Sequence, residues 1–349
     1  MKILLLVLLC CSSLLNAQEV RDIHIKERIN STKLSQIADE VIPIVLNRRV
    51  GGIQFIYLTD RYIFICGTSS VISQFDISGN FIRNIDCGDY IVGMTGDTLK
   101  KEIYVAKSGK EIKCYDYSLH EKRTYKLENE PISVFCYKNN IWVQSYKVEN
   151  EKIDYKMSKV NLFTCKETLN SFDFSGHIIQ NSKNGAVSLS TFSVYNNLLV
   201  FALSMDSVVY KVENERILPF IRWKIKSKEQ SCYVKQFVLS TKGIVGNYFY
   251  INYVMRNPSD VYSKNEHYFY LENLKTGSKY NINMRVNKED ASIGGIYDDF
   301  YQTGYINLIQ SCNQAGSFYF VKGEDVVRKR TSKIKTKGGS VIFVVKNKN

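Results

Sequence analysis

The feature that most constrains this chain is a recurrence of short strand-like runs, each closed by a turn of Gly, Asn, Asp or Ser, from about residue 50 to the end. The clearest stretch begins near Gly52. Ile53–Leu58, Tyr62–Cys66, Val71–Phe75 and Phe81–Ile85 are apolar or alternating, and Thr59-Asp60-Arg61, Gly67-Thr68-Ser69-Ser70 and Asp76-Ile77-Ser78-Gly79-Asn80 separate them. Runs of this length between turn residues read as strands. Four in succession with short turns make an antiparallel meander. The 24 Tyr and 18 Phe suit pleated, half-buried surfaces, and only 4 Pro interrupt them.

The pattern then returns. Glu102–Ala106 repeats Tyr62–Cys66, and Ile112–Asp116 repeats Ile72–Asp76 about 40 residues on. Asn139–Val143, Asn196–Phe201 followed by Asp206–Tyr210, and Gly246–Ile251 followed by His267–Leu271 continue it. The last unit takes in Tyr305–Ile309, Ser317–Val321 and Ser340–Val345. Four-stranded repeats at a spacing of about 40–60 residues predict a β-propeller. The count gives an all-β, six-bladed propeller of four-stranded antiparallel blades.

A ring must join its first and last blades, or a sheet edge stays open. One run near the start is spare: Val41-Ile42-Pro43-Ile44-Val45-Leu46. It is expected to close the ring beside Ser340–Val345, with Pro43 on an outer edge where no ladder donor is needed. Thr32–Asp39 ahead of it reads as a short helix capped by Ser31 or Thr32. The domain reading is a signal peptide over 1–17 and one propeller over 18–349. Residues 18–40 form its lead-in and 41–46 its closing strand.

The signal peptide rests on Lys2, the apolar run Ile3–Leu9 and a small residue, Ala17, before a plausible cut. The apolar run is too short to span a bilayer, and no later stretch is long enough. Cys10 and Cys11 raise a lipid anchor as an alternative. Leu9 and Cys10 precede them where Gly, Ala or Ser is wanted, so export without an anchor, to the periplasm or cell surface, is the preferred reading. Seven cysteines follow residue 17, with no C-x-x-C pair, and an odd number leaves at least one thiol free.

The order of elements carries a resemblance. An export signal, Leu34–Asp39 leading into Ile42–Leu46, then Asp60–Ile65, Phe75–Arg83 and a closing C-terminal strand resemble the exported six-bladed β-propellers of Gram-negative gut symbionts, which are NHL-like in architecture. The resemblance covers the chain after residue 17 and is strongest over 34–127. It departs where such proteins carry a Gly-Pro-Gly-Glu-Tyr-like loop; here Cys87-Gly88-Asp89-Tyr90 stands. It implies fold and export, not a mechanism.

The formal charge of +13 invites an anionic partner. The lysines are scattered, however, and in the one dense run, Arg328-Lys329-Arg330 with Lys333, Lys335 and Lys337, the charges alternate from Lys333 as on one face of a strand, so a solvated strand or loop is the preferred reading. With export, this argues against nucleic acid. The four His (24, 120, 177, 267) have no metal-ligand spacing, and no nucleophile elbow, phosphate loop or dinucleotide fingerprint occurs.

The candidate ligand-binding residues are therefore individual ones. Arg61 follows a turn and points to carboxylate or sulfate recognition. Trp142, Tyr248 and Tyr297 offer flat faces for sugars, against the alternative of blade packing. His177 falls in a loop-like stretch. Asp298 belongs to an Asp298-Asp299 pair, which could serve acid–base chemistry or bind Ca²⁺, but neighbours on one strand point to opposite faces and make a poor catalytic dyad, so a solvated turn is the preferred reading. Asp97-Thr98-Leu99 and Asp206-Ser207-Val208 resemble a short O-glycosylation acceptor motif, with an ordinary turn as the preferred reading.

The functional expectation is a monomeric, non-catalytic binding or scaffold propeller contacting an envelope protein or glycan, with no cofactor. The alternative is a lyase or hydrolase acting on a carbohydrate, peptide or lactone, with a divalent metal at the axis.

Overall fold

A computed structural model describes residues 19–24, 31–149, 152–170, 191–202, 208–226, 241–255, 266–284, 295–306, 310–311, 313 and 317–348. Residues 1–17 and His177 lie outside this set. The described strands form seven sheets. The protein is thus a propeller of seven blades, not six.

Blade 1 comprises Phe55–Leu58, Tyr62–Cys66, Val71–Asp76 and Phe81–Asp86, within two residues of the sequence reading. Blade 2 comprises Ile91–Asp97, Glu102–Lys107, Glu111–Asp116 and Glu121–Lys126. Blade 3 comprises Glu130–Tyr137, Asn140–Glu149, Lys152–Asn161 and Glu167–Asn170. In blade 4, Thr191–Tyr195, Leu198–Ala202, Val208–Glu213 and Arg216–Lys226 are joined by Glu19–His24, which pairs in parallel with Ile221 to Lys226. Blade 5 comprises Thr241–Val245, Tyr248–Met255, Glu266–Asn273 and Lys279–Met284.

The missed blade is the sixth. Gly295–Asp298 and Gly304–Ile306 pair with each other, Tyr297 opposite Tyr305, and Ser31–Lys33 adds in parallel beside Gly295 to Tyr297. These strands have 4, 3 and 3 residues, too few to show a period, and one comes from the other end of the chain. The sequence reading therefore assigned Tyr305 to the last unit. Packing hides the boundary as well. Tyr250 of blade 5, Ile296 of blade 6 and Phe343 of blade 7 share one continuous apolar cluster.

Blade 7 closes the ring. Gln310–Ser311, Ser317–Lys322 and Val341–Asn347 are followed in the sheet by Ala38–Val45, with Ile342 opposite Ile44 and Phe343 opposite Pro43. Pro43 thus stands on the strand that ends the sheet, where the missing N–H is tolerated. The seam to blade 1 is apolar, with Leu46, Ile63, Ile65, Phe75 and Ile342 buried together. Hydrogen bonds stitch it. Asn313 donates Nδ2 to Leu58 O at 2.7 Å and accepts Leu58 N at 2.9 Å, and Asn47 N donates to Gly79 O at 2.9 Å. Gly79 has φ +85°, and a Cβ there would stand 2.1 Å from Val45 O, so only glycine fits.

Two local expectations are corrected. Thr32–Asp39 is a strand followed by a single 3-10 turn, Leu34–Gln36. Its first residues are drawn out as the third strand of blade 6. The basic run divides: Arg328, Lys329 and Arg330 end a helix, Glu324–Arg330, rather than lying in a strand or loop, while Lys333 to Lys337 follow in a loop, one of the two forms expected. Glu324 and Asp325 in the first turn and the three cations in the last complement the helix dipole, while Val327 anchors it in the core.

Candidate binding face

Antiparallel meanders bring the first-to-second and third-to-fourth turns of every blade to one end. In blades 1 to 5 these turns hold only two to five residues. Their construction repeats. Asp76 Oδ1 accepts Asn80 N at 2.8 Å, and Asp116 Oδ1 accepts Ser118 N at 2.8 Å and His120 N at 2.9 Å. Asn161 Oδ1 accepts Phe163 N and Thr164 N, and Asn273 Oδ1 accepts Lys275 N and Thr276 N. Side-chain oxygens that bond backbone two to four residues on fix such turns. Asp97 does the same for Leu99 N (2.9 Å) and Lys100 N (3.1 Å). That is the ordinary-turn reading of Asp97-Thr98-Leu99. Asp206 and Ser207 lie outside the described residues.

Beneath the turn 98–101 sits a buried charge. Glu102 is 2% exposed and accepts Lys122 Nζ at 2.6 Å, Arg123 Nη2 at 2.7 Å and the Tyr104 hydroxyl at 2.6 Å. Burial works against its charged form. The hydrogen bonds from Lys122, Tyr104 and Arg123 outweigh burial and hold the carboxyl at about 2. Its partners are engaged as tightly. Burial opposes the Arg123 charge, yet Glu102 raises its pKa.

The sequence candidates do not converge. Arg61 is exposed on the first turn of blade 1, where its carbonyl accepts Ile77 N at 3.0 Å. Trp142 and Tyr248 are each 4% exposed and fill different seams, Trp142 with Phe201 and Tyr210, Tyr248 with Leu271 and Ile282. A ligand reaches neither without parting two blades. Tyr297 is half-buried, edge-on to Tyr305 at 5.4 Å.

Asp298 is fully buried. Its carboxylate accepts Phe300 N (3.2 Å), Tyr301 N (3.1 Å) and the Thr303 hydroxyl (2.5 Å). Asp299 turns the other way and accepts Ser35 N at 2.9 Å and its hydroxyl at 2.5 Å. Burial opposes ionisation of Asp299, but these bonds hold its pKa below the usual carboxylate value. The acid pair therefore works as two staples, one for its own turn and one for the lead-in. Among the described residues no group of three His, Cys, Asp or Glu is placed to hold a metal, and no helix is long and apolar enough to cross a membrane.

The residues that sequence reasoning missed are Leu99 and Phe163, 94% and 71% exposed, the two most exposed large apolar side chains among the described residues. Both are on the tight-turn face. Lys100 Nζ sits 4.2 Å over the Phe163 ring, so the second and third blades present them together.

The fold and this face define a β-propeller of four-stranded antiparallel blades. No family model matches the chain, and no curated protein matches it. Among solved structures, a Bacteroides fragilis protein assigned as exported is similar with a TM-score of 0.66 and 12% identity, over 95% of this chain and 100% of the other. BamB from Moraxella catarrhalis is similar with a TM-score of 0.46 and 8% identity, over 88% and 99%. At such identities the likeness is one of fold.

Proposed function

We infer that this chain is an exported propeller that binds or scaffolds rather than catalyses, with an envelope protein or glycan as partner and the tight-turn face as the contact surface. One observation carries the reading. On that face Asp76, Asp97, Asp116, Glu102 and Glu215 are committed to turns or to cations, with Asp60 left as an exposed acid, whereas Leu99 and Phe163 stand in water. Side chains spent on rigidity with apolar groups left in water are the economy of a recognition surface. Export draws support from the sequence of residues 1–17 and from the exported assignment of the Bacteroides fragilis protein of similar fold.

A thermal-shift panel of glycans, envelope peptides and divalent metals, with and without EDTA, tests the reading. A binder present at a hundredfold excess over its dissociation constant stabilises by about 2.7 kcal/mol. The expected result is a shift from a glycan or peptide that EDTA leaves unchanged. A shift produced only by metal and abolished by EDTA, with turnover of a polysaccharide or lactone, overturns the non-catalytic reading. Cell fractionation tests export, and recovery in the cytosol would overturn it.

A further inference from the structure

Three neighbouring turns form one patch. Leu162 N donates to Asn139 O at 3.1 Å, joining the third-to-fourth turn of blade 3 to its first-to-second turn. Cys136 N donates to Thr95 Oγ1 at 2.9 Å, joining the first strands of blades 2 and 3. Lys100 reaches across to Phe163. The patch therefore carries Leu99 and Phe163 within a ring of Lys100, Lys101, Lys138 and Lys166. The acids that flank these turns are engaged: Asp97 by its own backbone, Glu102 by Lys122 and Arg123, and Glu167 by Glu128 N at 2.8 Å.

The backbone gives a second, independent observation. Lys101 has φ +54° and Lys138 has φ +46°. This left-handed region disfavours a side chain with a Cβ, and Gly and Asn are the residues that accept it. The corresponding turn of blade 4 obeys the rule with Asn196 and Asn197, at φ +46° and +58°, and that of blade 5 with Gly246 at φ +58°. Lysine thus stands where local preference asks for Asn or Gly. Lysine also takes this conformation at Lys110, at the opposite end of blade 2, but on the patch two such lysines stand beside the two most exposed large apolar side chains among the described residues. Local rules broken together at one spot mark a functional surface.

We propose that this patch docks an acidic protein segment that carries an aliphatic or aromatic anchor. The proposal rests on the binding reading above and names its partner. Among the described residues none of these four ammonium groups is paired with a carboxylate, so together they select negative charge, and Leu99 and the Phe163 edge select an apolar side chain beside it. An anionic bilayer fits less well. Inserting the Phe163 ring would drag the Lys100 ammonium, 4.2 Å from its centroid, toward the hydrocarbon. A glycan fits less well too, because one of the two faces of the Phe163 ring on which a sugar would stack is taken by that ammonium, and the four cations favour a charged partner over a neutral sugar.

The test is selection of a display library of random twelve-residue segments on the purified protein. Parallel selections use Lys100→Glu/Lys138→Glu, Leu99→Ser/Phe163→Ser and, as a control on blade 5, Lys275→Glu. Melting temperatures establish that each variant is folded. Segments rich in Asp and Glu with a Leu, Ile or Phe are expected to enrich on the wild type and on Lys275→Glu. They are expected to bind at least tenfold more weakly to either patch variant and to weaken with salt.

Lys138→Asn is expected to melt higher than wild type while binding less, an outcome that a merely structural lysine would not produce. Enrichment that survives both patch variants overturns the patch and leaves a binding propeller standing. Sedimentation with phosphatidylglycerol vesicles, lost in the patch variants, without acidic enrichment assigns the patch to a membrane and overturns the proposal. So does the absence of enrichment on the wild type, while a glycan shift in the earlier panel would keep the binding reading alive.

Discussion

The seam between blades 7 and 1 and the three-turn patch on blades 2 and 3 are built by opposite rules. At the seam, each residue agrees with its backbone. Gly79 occupies a positive-φ site that nothing larger fits, Pro43 stands on an edge, and Asn313 satisfies both polar groups of Leu58. On the patch, Lys101 and Lys138 hold left-handed conformations, and Leu99 and Phe163 face water. The seam is tuned for stability. The patch gives up stability locally and is anchored from below by Glu102, the residue after Lys101, with its two cations and a tyrosine.

Substitutions separate the two rules. The largest effect is expected from Gly79→Ala. The added Cβ would meet Val45 O at 2.1 Å on a positive-φ backbone, and a clash with main chain cannot relax cheaply. A loss of about 3 kcal/mol is expected by denaturant unfolding. An unchanged midpoint would show that the closing strand yields.

Asn313→Ala comes next. It strips both hydrogen bonds from Leu58, for a loss of about 2 kcal/mol in the same measurement.

Under the patch, the prediction is one of pH. Glu102 has its folded-state pKa lowered to about 2, so its contribution is present above the unfolded value and lost as pH falls toward 2. Lys122 and Arg123 are 43% and 37% exposed, and solvent screening reduces the contribution to about 1–2 kcal/mol. The gap in melting temperature between wild type and Glu102→Gln, open at pH 6, should narrow below pH 4. A gap constant from pH 6 to pH 2.5 would contradict the ion network. The smallest effect, and the only gain, is expected from Lys138→Asn, about 0.5 kcal/mol more stable by relief of the left-handed lysine. A loss of stability there would mean that Lys138 packs usefully over Tyr137, whose ring lies 5.1 Å from its ammonium.

Much of the fold was legible because strand alternation and turn chemistry are local. The four strands of blade 1 and the Asp76–Asn80 turn could be read directly, and so could the spare strand at Val41–Leu46. The count failed where locality failed. Blade 6 has strands of three or four residues, and it borrows Ser31–Lys33 from the far end of the chain. The parallel addition of Glu19–His24 to blade 4 announces itself by no turn at all.

The candidate site was less legible. Large aromatics such as Trp142 and Tyr248 look alike in a sequence whether they bind or pack, and both pack. The overlooked signal was a comparison between repeats. Lys138-Asn139 stands where the next blade has Asn196-Asn197, so the turn chemistry is broken in one repeat and kept in another.

The lacing of the N-terminal segment also governs when the molecule can fold. Between Glu19 and Val45, three strands dock on blades 4, 6 and 7, pairing with residues about 200 to 300 positions downstream. Contacts of such separation form late and slowly, because the loop they close must be ordered before they reward it. A chain emerging from synthesis can assemble blades 1 to 3 from local hairpins. The ring stays unlatched until its final strand has arrived. The strands between Glu19 and Val45 are thus among the last to settle, and the partly built ring is kept open until Val341–Asn347 is available to pair.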